Sequence, residues 1–220
     1  MASMTSARAD VLFEVGRTRQ LTVVAFDQSF VRESVAQNCA PFYSFDRWYA
    51  DLLQVVDELT AGPLILVGTS MGAWMSILTA AERPERVRAA VLISSSIGFF
   101  DRFPSLLAPV PQRLEAFERG ETVVVDWLGF PYPVSRQGLE ESRRRDPFRQ
   151  WPTGHWPVHC PLRILHGDAD ALSPAETARR VYDNVKSADV VLTVVKNAVH
   201  DFEAPENLVL LKNSVESLLD

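Results

Sequence analysis

Residues 64–78, LILVGTSMGAWMSIL, constrain this chain most: an apolar run breaks at small residues, presents one serine, and resumes as an apolar run with a different period. LILV barely alternates, which suits a strand buried on both faces of a parallel sheet. The run after the break reads as a helix over 72–81. A parallel strand that ends at its C-terminal edge and turns sharply into a helix puts the turn residue in the crevice where such sheets bind ligands. Here that residue is Ser70, between Gly68 and Gly72 at the spacing G-x-S-x-G. The turn backbone is strained and crosses close to both strand and helix, so small residues are expected at 68 and 72. Ser70 is thereby the candidate nucleophile, against the bland reading of a helix N-terminus with an incidental serine.

The rest of the chain repeats the alternation. LTVVAF (21–26), AAVLISS (89–95), LRILHG (162–167) and VVLTVV (190–195) are further Val/Ile/Leu-rich runs of strand type. Between them, Phe45, Trp48, Leu52, Val56 and Leu59 recur at helical spacing behind a capping Ser44, with Gly62 as a stop. Helices are also predicted over 174–186 and 205–219. This pattern predicts an α/β fold with a mainly parallel sheet flanked by helices, in one domain over 1–220. Residues 97–160 break the alternation, holding eight of the fourteen prolines and one credible helix near PQRLEAFERG. So long a segment reads as a lid insertion rather than a connecting loop, the alternative being a structural excursion without a role.

Composition excludes several classes of function. The net charge of −6 and the scatter of Lys and Arg outside Arg143, Arg144 and Arg145 leave no basic footprint for nucleic acid. The triple Arg reads as a solvated helix face. No apolar run is long enough for a membrane span, and MASMTSARAD has no hydrophobic signal core. Cys39 and Cys160 lack metal-type spacing and are too few for a disulfide scaffold, which favours a reducing compartment. The expected location is cytoplasmic, or mitochondrial if a longer precursor exists, and no cofactor or metal is called for.

An alcohol is a poor nucleophile near neutral pH, so Ser70 needs a base, and the base needs an orienting acid. LRILHGDADALSP ends a strand in a turn carrying Asp168 and Asp170, and VVLTVVKNAVHDF ends another in a loop carrying His200. Both partners leave the sheet at the same edge as Ser70, in the chain order Ser, Asp, His. Among four histidines, His200 alone follows the last strand and precedes the end helix; His166 suits a packed strand end, and His155 and His159 lie in the Pro-rich segment. Asp170 is preferred as the acid over Asp168, which could instead fix the turn through backbone bonds. Asp201, the neighbour of His200, reads as a surface carboxylate.

LVGTSMGAW, RPERVRAAVLI, CPLRILHGDADALSP and NAVHDF together resemble the α/β-hydrolases, and most of all their palmitoyl-protein thioesterase and acyl-glucuronide esterase branch. The resemblance covers about residues 44–220. Carried over by position, it implies Ser70 as nucleophile, Asp170 as acid, His200 as base and the backbone N–H of Met71 as one oxyanion donor. At the front the chain departs from the pattern. VVAFDQSFVRES stands where such proteins have a strand and a glycine-bearing turn, and ADVLFEVGRTRQ looks like the helix after the oxyanion loop, so that loop and its strand are expected to be missing. The expected function is a serine hydrolase acting on a carboxylic ester or thioester, with a small-molecule or acylated-protein substrate. Phe99, Phe100, Phe103, Leu106 and Leu107 are candidates to line an acyl pocket or simply to form lid core. The alternatives are a catalytically weak or inactive hydrolase-fold binding protein and a proline-type serine peptidase.

Overall fold

The structure, a computed structural model, describes residues 6–29, 44–127 and 130–219. Cys39 and the segment FVRES (30–34) of VVAFDQSFVRES therefore lie outside the described residues. The chain divides into two compact units. One is assembled from Met1–Phe26, Thr60–Ile97 and Trp151–Asp220, the other from Asp27–Leu59 and Gly98–Gln150.

The first unit is built on four parallel strands, β1 (Leu64–Thr69), β2 (Val87–Ile93), β5 (Leu162–Gly167) and β6 (Val190–Val195), in the order β1-β2-β5-β6. Registers Thr69↔Ile93, Ile93↔Leu165 and Gly167↔Val195 bring the C-terminal ends of all four to one edge. β2 is central and buried on both faces apart from Arg88, which is why it reads as an unbroken apolar run. Its odd-numbered side chains, Ala89, Val91 and Ile93, pack with Leu165, with Val15 of α1 (Ala7–Arg19) and with Leu211, Val215 and Leu218 in and after α9 (Pro205–Glu216). Across the sheet, α3 (Met71–Glu82) packs on β1 and β2 while α8 (Ala175–Asn184) packs on β5 and β6. Residues Ala73–Ala80 of α3 are all buried, so no polar stripe marks it in sequence. Its hydroxyls are satisfied inside the helix: Ser76 donates to Gly72 O at 2.8 Å and Thr79 to Met75 O at 2.9 Å.

One expected strand is absent. Residues 21–28, including LTVVAF, carry no strand. After the left-handed Gln20 the chain folds back on α1: Leu21 N–H bonds Gly16 O, and a Cβ at Gly16 would come within 2.3 Å of Val23 Cγ2. The segment spends its contacts on the last turn of α1 while Leu21 and Val24 stay about half exposed, so its β-propensity finds no ladder to join.

Beyond the expected helix at its start, the second unit holds far more regular structure in residues 98–150 than the one helix expected there. It comprises α2 (Phe45–Gln54) with a wider turn to Leu59, a 3₁₀ turn at Phe99–Arg102, α4 (Phe103–Leu107), α5 (Pro111–Glu118), the antiparallel pair β3 (Val123–Trp127) and β4 (Phe130–Val134), α6 (Arg136–Arg144) and α7 (Pro147–Gln150). Prolines hid β4. Pro131 and Pro133, two residues apart, put both missing N–H groups on the flank of β4 that faces away from β3, where none is needed. Phe99, Phe100, Phe103 and Tyr132 meet edge to face at 5.3–5.8 Å, with Phe100 and Phe103 buried, which makes that pair core of this unit. The triple Arg lies largely exposed, as expected of a solvated face, and is also paired: Arg143 pairs with Asp101, and Arg144 and Arg145 grip Asp46 at 2.8 and 3.0 Å. Beneath them the buried Glu141 accepts the Ser44 hydroxyl at 2.7 Å and the Gln137 amide at 2.8 Å, tying α6 to the cap of α2. Among the described residues no helix is long and apolar enough to cross a membrane.

Candidate active site

At the end of β1 the chain must reverse into α3 within one residue, and Ser70 is that residue, at φ 58°, ψ −116°. A non-glycine residue in this conformation costs about 1–3 kcal/mol and persists only where its surroundings hold it. Four backbone bonds do so: Ser70 N–H donates to Ile93 O at 2.8 Å, while Ser70 O accepts from Ala73, Trp74 and Ser96 at 3.1–3.4 Å. Gly68 is obligatory, since a Cβ there would meet Gly72 O at 2.3 Å and Ala73 N at 2.6 Å. Gly72 is not: a Cβ on it meets nothing within 4 Å, a correction to the expectation that both positions must be small. Met71 opens α3, so its N–H has no acceptor inside the helix.

β5 and β6 deliver the other two groups from the same edge. Gly167, at the end of β5, lies so close to Ala198 that a Cβ would sit 2.1 Å from Ala198 O. That approach brings the two loops together: Asp168 N–H bonds Val195 O, Ala169 N–H bonds Ala198 O, and the Asp168 carboxylate accepts the N–H of the left-handed Asn197 at 2.5 Å. Asp168 is thus a tether between loops. Asp170, its side chain wholly buried, points the other way, with Oδ2 2.7 Å from His200 Nδ1. His200 Nε2 lies 3.0 Å from Ser70 Oγ. Three side chains separated by 100 and 30 positions in sequence therefore form one hydrogen-bonded line. The carboxylate fixes the proton on Nδ1, leaving Nε2 with a lone pair toward the serine hydroxyl.

Burial alone would raise the pKa of Asp170, but hydrogen bonds from His200, Ser173 and Leu172 outweigh it and hold the carboxyl below its ordinary range. Of the remaining histidines, His155 and His159 are exposed, and His166 is wholly buried with Nε2 3.0 Å from Ser173 O. Asp201 is exposed and accepts the N–H of Glu203. Sequence reasoning missed Ser173, whose N–H, hydroxyl and carbonyl are all engaged around Asp170. The available signal was its place in the same turn, one residue before the proline that opens α8. Cys160 is a free thiol that burial pushes up to about 11.

A four-stranded parallel core, a strained serine turn and loops converging at one sheet edge define a class, and sequence comparison gives the same one. Residues 12–129 match the family model described as alpha/beta hydrolase fold, and the chain belongs to that family. Within it, the chain is similar to a mitochondrial palmitoyl-protein thioesterase, ABHD10: it is 29% identical to the Rattus norvegicus protein over 227 residues, covering all of this chain and 72% of that one. The structure of alpha/beta hydrolase domain-containing protein 10 from mouse superposes with a TM-score of 0.83 at 25% identity, covering all of this chain and 86% of that one. A monoacylglycerol lipase from Paleococcus ferrophilus shares the fold, with a TM-score of 0.68 at 20% identity over 97% of this chain and 89% of that one. The family match and the likeness to the ABHD10 proteins support hydrolysis of an ester or thioester in general terms.

Proposed function

We propose that the chain is a serine hydrolase that cleaves carboxylic esters or thioesters through an acyl-enzyme on Ser70. The carrying observation is the line Ser70 Oγ to His200 Nε2 to Asp170 Oδ2, at 3.0 and 2.7 Å. His200 takes the hydroxyl proton as Oγ bonds to the acyl carbon, then returns it to the departing alkoxide or thiolate oxygen or sulfur. Water, deprotonated by the same imidazole, then attacks the acyl carbon; the bond from that carbon to Oγ breaks, the imidazolium returns its proton to Oγ, and the carboxylic acid leaves. Asp170 keeps the imidazole in the required tautomer and stabilises the imidazolium. The N–H of Met71, at the positive end of α3, donates to the tetrahedral oxyanion. Palmitoyl-protein, the thioester substrate in the name of the Rattus norvegicus relative, is the first substrate class to test, with acyl glucuronides second.

A fluorophosphonate probe tests the assignment directly. Wild type should be labelled at Ser70, and the folded Ser70→Ala variant should take no label. Undiminished labelling of that variant would end the proposal. A panel of acyl thioesters, acyl glucuronides and proline peptides then ranks the leaving groups, and turnover confined to the peptides would overturn the ester or thioester reading.

A further inference from the structure

His166 takes no part in the mechanism above, yet it is a wholly buried titratable group four residues before Asp170. Its Nε2 lies 3.0 Å from the carbonyl oxygen of Ser173. A carbonyl only accepts, so Nε2 carries the proton and Nδ1 is left as a bare lone pair; it has no partner among the described residues. The same Nε2 stands 3.4 Å from Asp170 Oδ2, the oxygen that receives His200 Nδ1–H. Ser173 closes the ring around the acid: its N–H donates to Asp170 Oδ1 at 2.9 Å, and its hydroxyl donates to Ser95 O, two residues beyond β2, at 2.6 Å.

We infer that His166 is a positioning residue: through its Nε2–H it holds the Ser173 turn, and so sets the place and orientation of the Asp170 carboxylate against His200. The inference rests on the catalytic reading of Asp170 and His200. Three contacts carry it. The turn from Asp170 to Ser173 is held to β5 by His166 and to the segment just after β2 by the Ser173 hydroxyl, and Asp170 Oδ1 accepts from that turn while Oδ2 stands 3.4 Å from His166 Nε2. Burial keeps His166 on the neutral side, against opposing contributions from Ser173 and Asp170, so it supplies a dipole without a second cation to compete with the His200 imidazolium. A buried imidazole serving only to fill space would not need this ring position, since Nδ1 makes no bond at all.

That asymmetry between the ring nitrogens gives the test. In His166→Gln the side-chain amide reaches the place of Nε2; in His166→Asn it reaches only the place of Nδ1. Both variants are neutral and polar, and thermal unfolding of each is recorded beside wild type. With p-nitrophenyl octanoate as substrate, His166→Asn should lose kcat by up to about 10²-fold with KM nearly unchanged, the size expected of a misplaced catalytic group. His166→Gln should recover most of that loss. Proton NMR reads the same effect without turnover: the low-field resonance of His200 Nδ1–H against Asp170 should survive in the Gln variant and move upfield or broaden in the Asn variant. Equal losses in the two variants, tracking their thermal stability, would reduce His166 to packing and overturn the inference, as would wild-type behaviour in both. If wild type itself hydrolyses no ester, the hydrolase reading fails, and the resonance alone decides the positioning role.

Discussion

Asp170 shows how one side chain serves two ends. Its oxygens receive Leu172 N–H and Ser173 N–H on one side and His200 Nδ1–H on the other. Replacing it by Asn should lower kcat by about 10⁴, because the imidazole loses the carboxylate that selects its tautomer. Asp168→Asn should be far milder, since an amide oxygen can still accept from Asn197. Steady-state turnover of the two variants ranks them, and the opposite order would exchange their roles. The pH dependence of stability follows from the same contacts. The folded pKa of Asp170 lies below its unfolded value of about 4, so its ionised form stabilises the fold fully above that value and progressively less as pH falls through the folded one. The Tm difference between wild type and Asp170→Asn should therefore shrink between neutral and acid pH. Cys160, whose thiol burial raises to about 11, should resist iodoacetamide at pH 7.5 under native conditions and react once the chain is unfolded, as peptide mass mapping would show. The residues on the Ser–His–Asp line could be picked out in the sequence because each follows a strand-like run. The frame behind them could not, since neither His166 nor Ser173 stands out until the turn is folded.

At the scale of elements, the turn from β1 to α3 separates steric necessity from pattern. Gly68→Ala drives a methyl group into the backbone of Gly72 and Ala73, atoms that cannot swing aside, and should cost about 1–3 kcal/mol along with most of the activity. Gly72→Ala meets open space near the start of a helix and should leave Tm unchanged or raise it, by up to about 1 kcal/mol of stability. Thermal unfolding of the pair checks both signs. Strands β2 and β5 were legible because burial on both faces writes an unbroken apolar run, and β1 and β6, though only partly buried, keep the same Val/Ile/Leu-rich composition. β4 was not, because its side chains read FPYPV and only pairing with β3 reveals that its prolines face outward. LTVVAF failed for the complementary reason: composition marks a strand, but a strand exists only with a neighbour, and this segment lies against Gly16 of α1.

Over the whole molecule, burial grades the sheet from its middle outward. β2 is buried at six of seven positions, whereas β1 and β6 are mostly half-buried or exposed. Native-state hydrogen exchange should therefore find the amides of β2 and β5 slowest and those of β1 and β6 faster, with a uniform rate across the four strands counting against this gradient. Chain order carries a different division. β1 and β2, with Ser70, precede residues 98–150; β5 and β6, with Asp170 and His200, follow them. The four register pairs from Ala90↔Leu162 to Ile93↔Leu165 are the seam between these halves, reinforced where α1 meets α9. A cut in the polypeptide between the halves would part Ser70 from Asp170 and His200 in covalent connection while the β2–β5 pairing still joins them, so two co-expressed fragments divided within 98–150 are expected to reassemble, as co-purification would show.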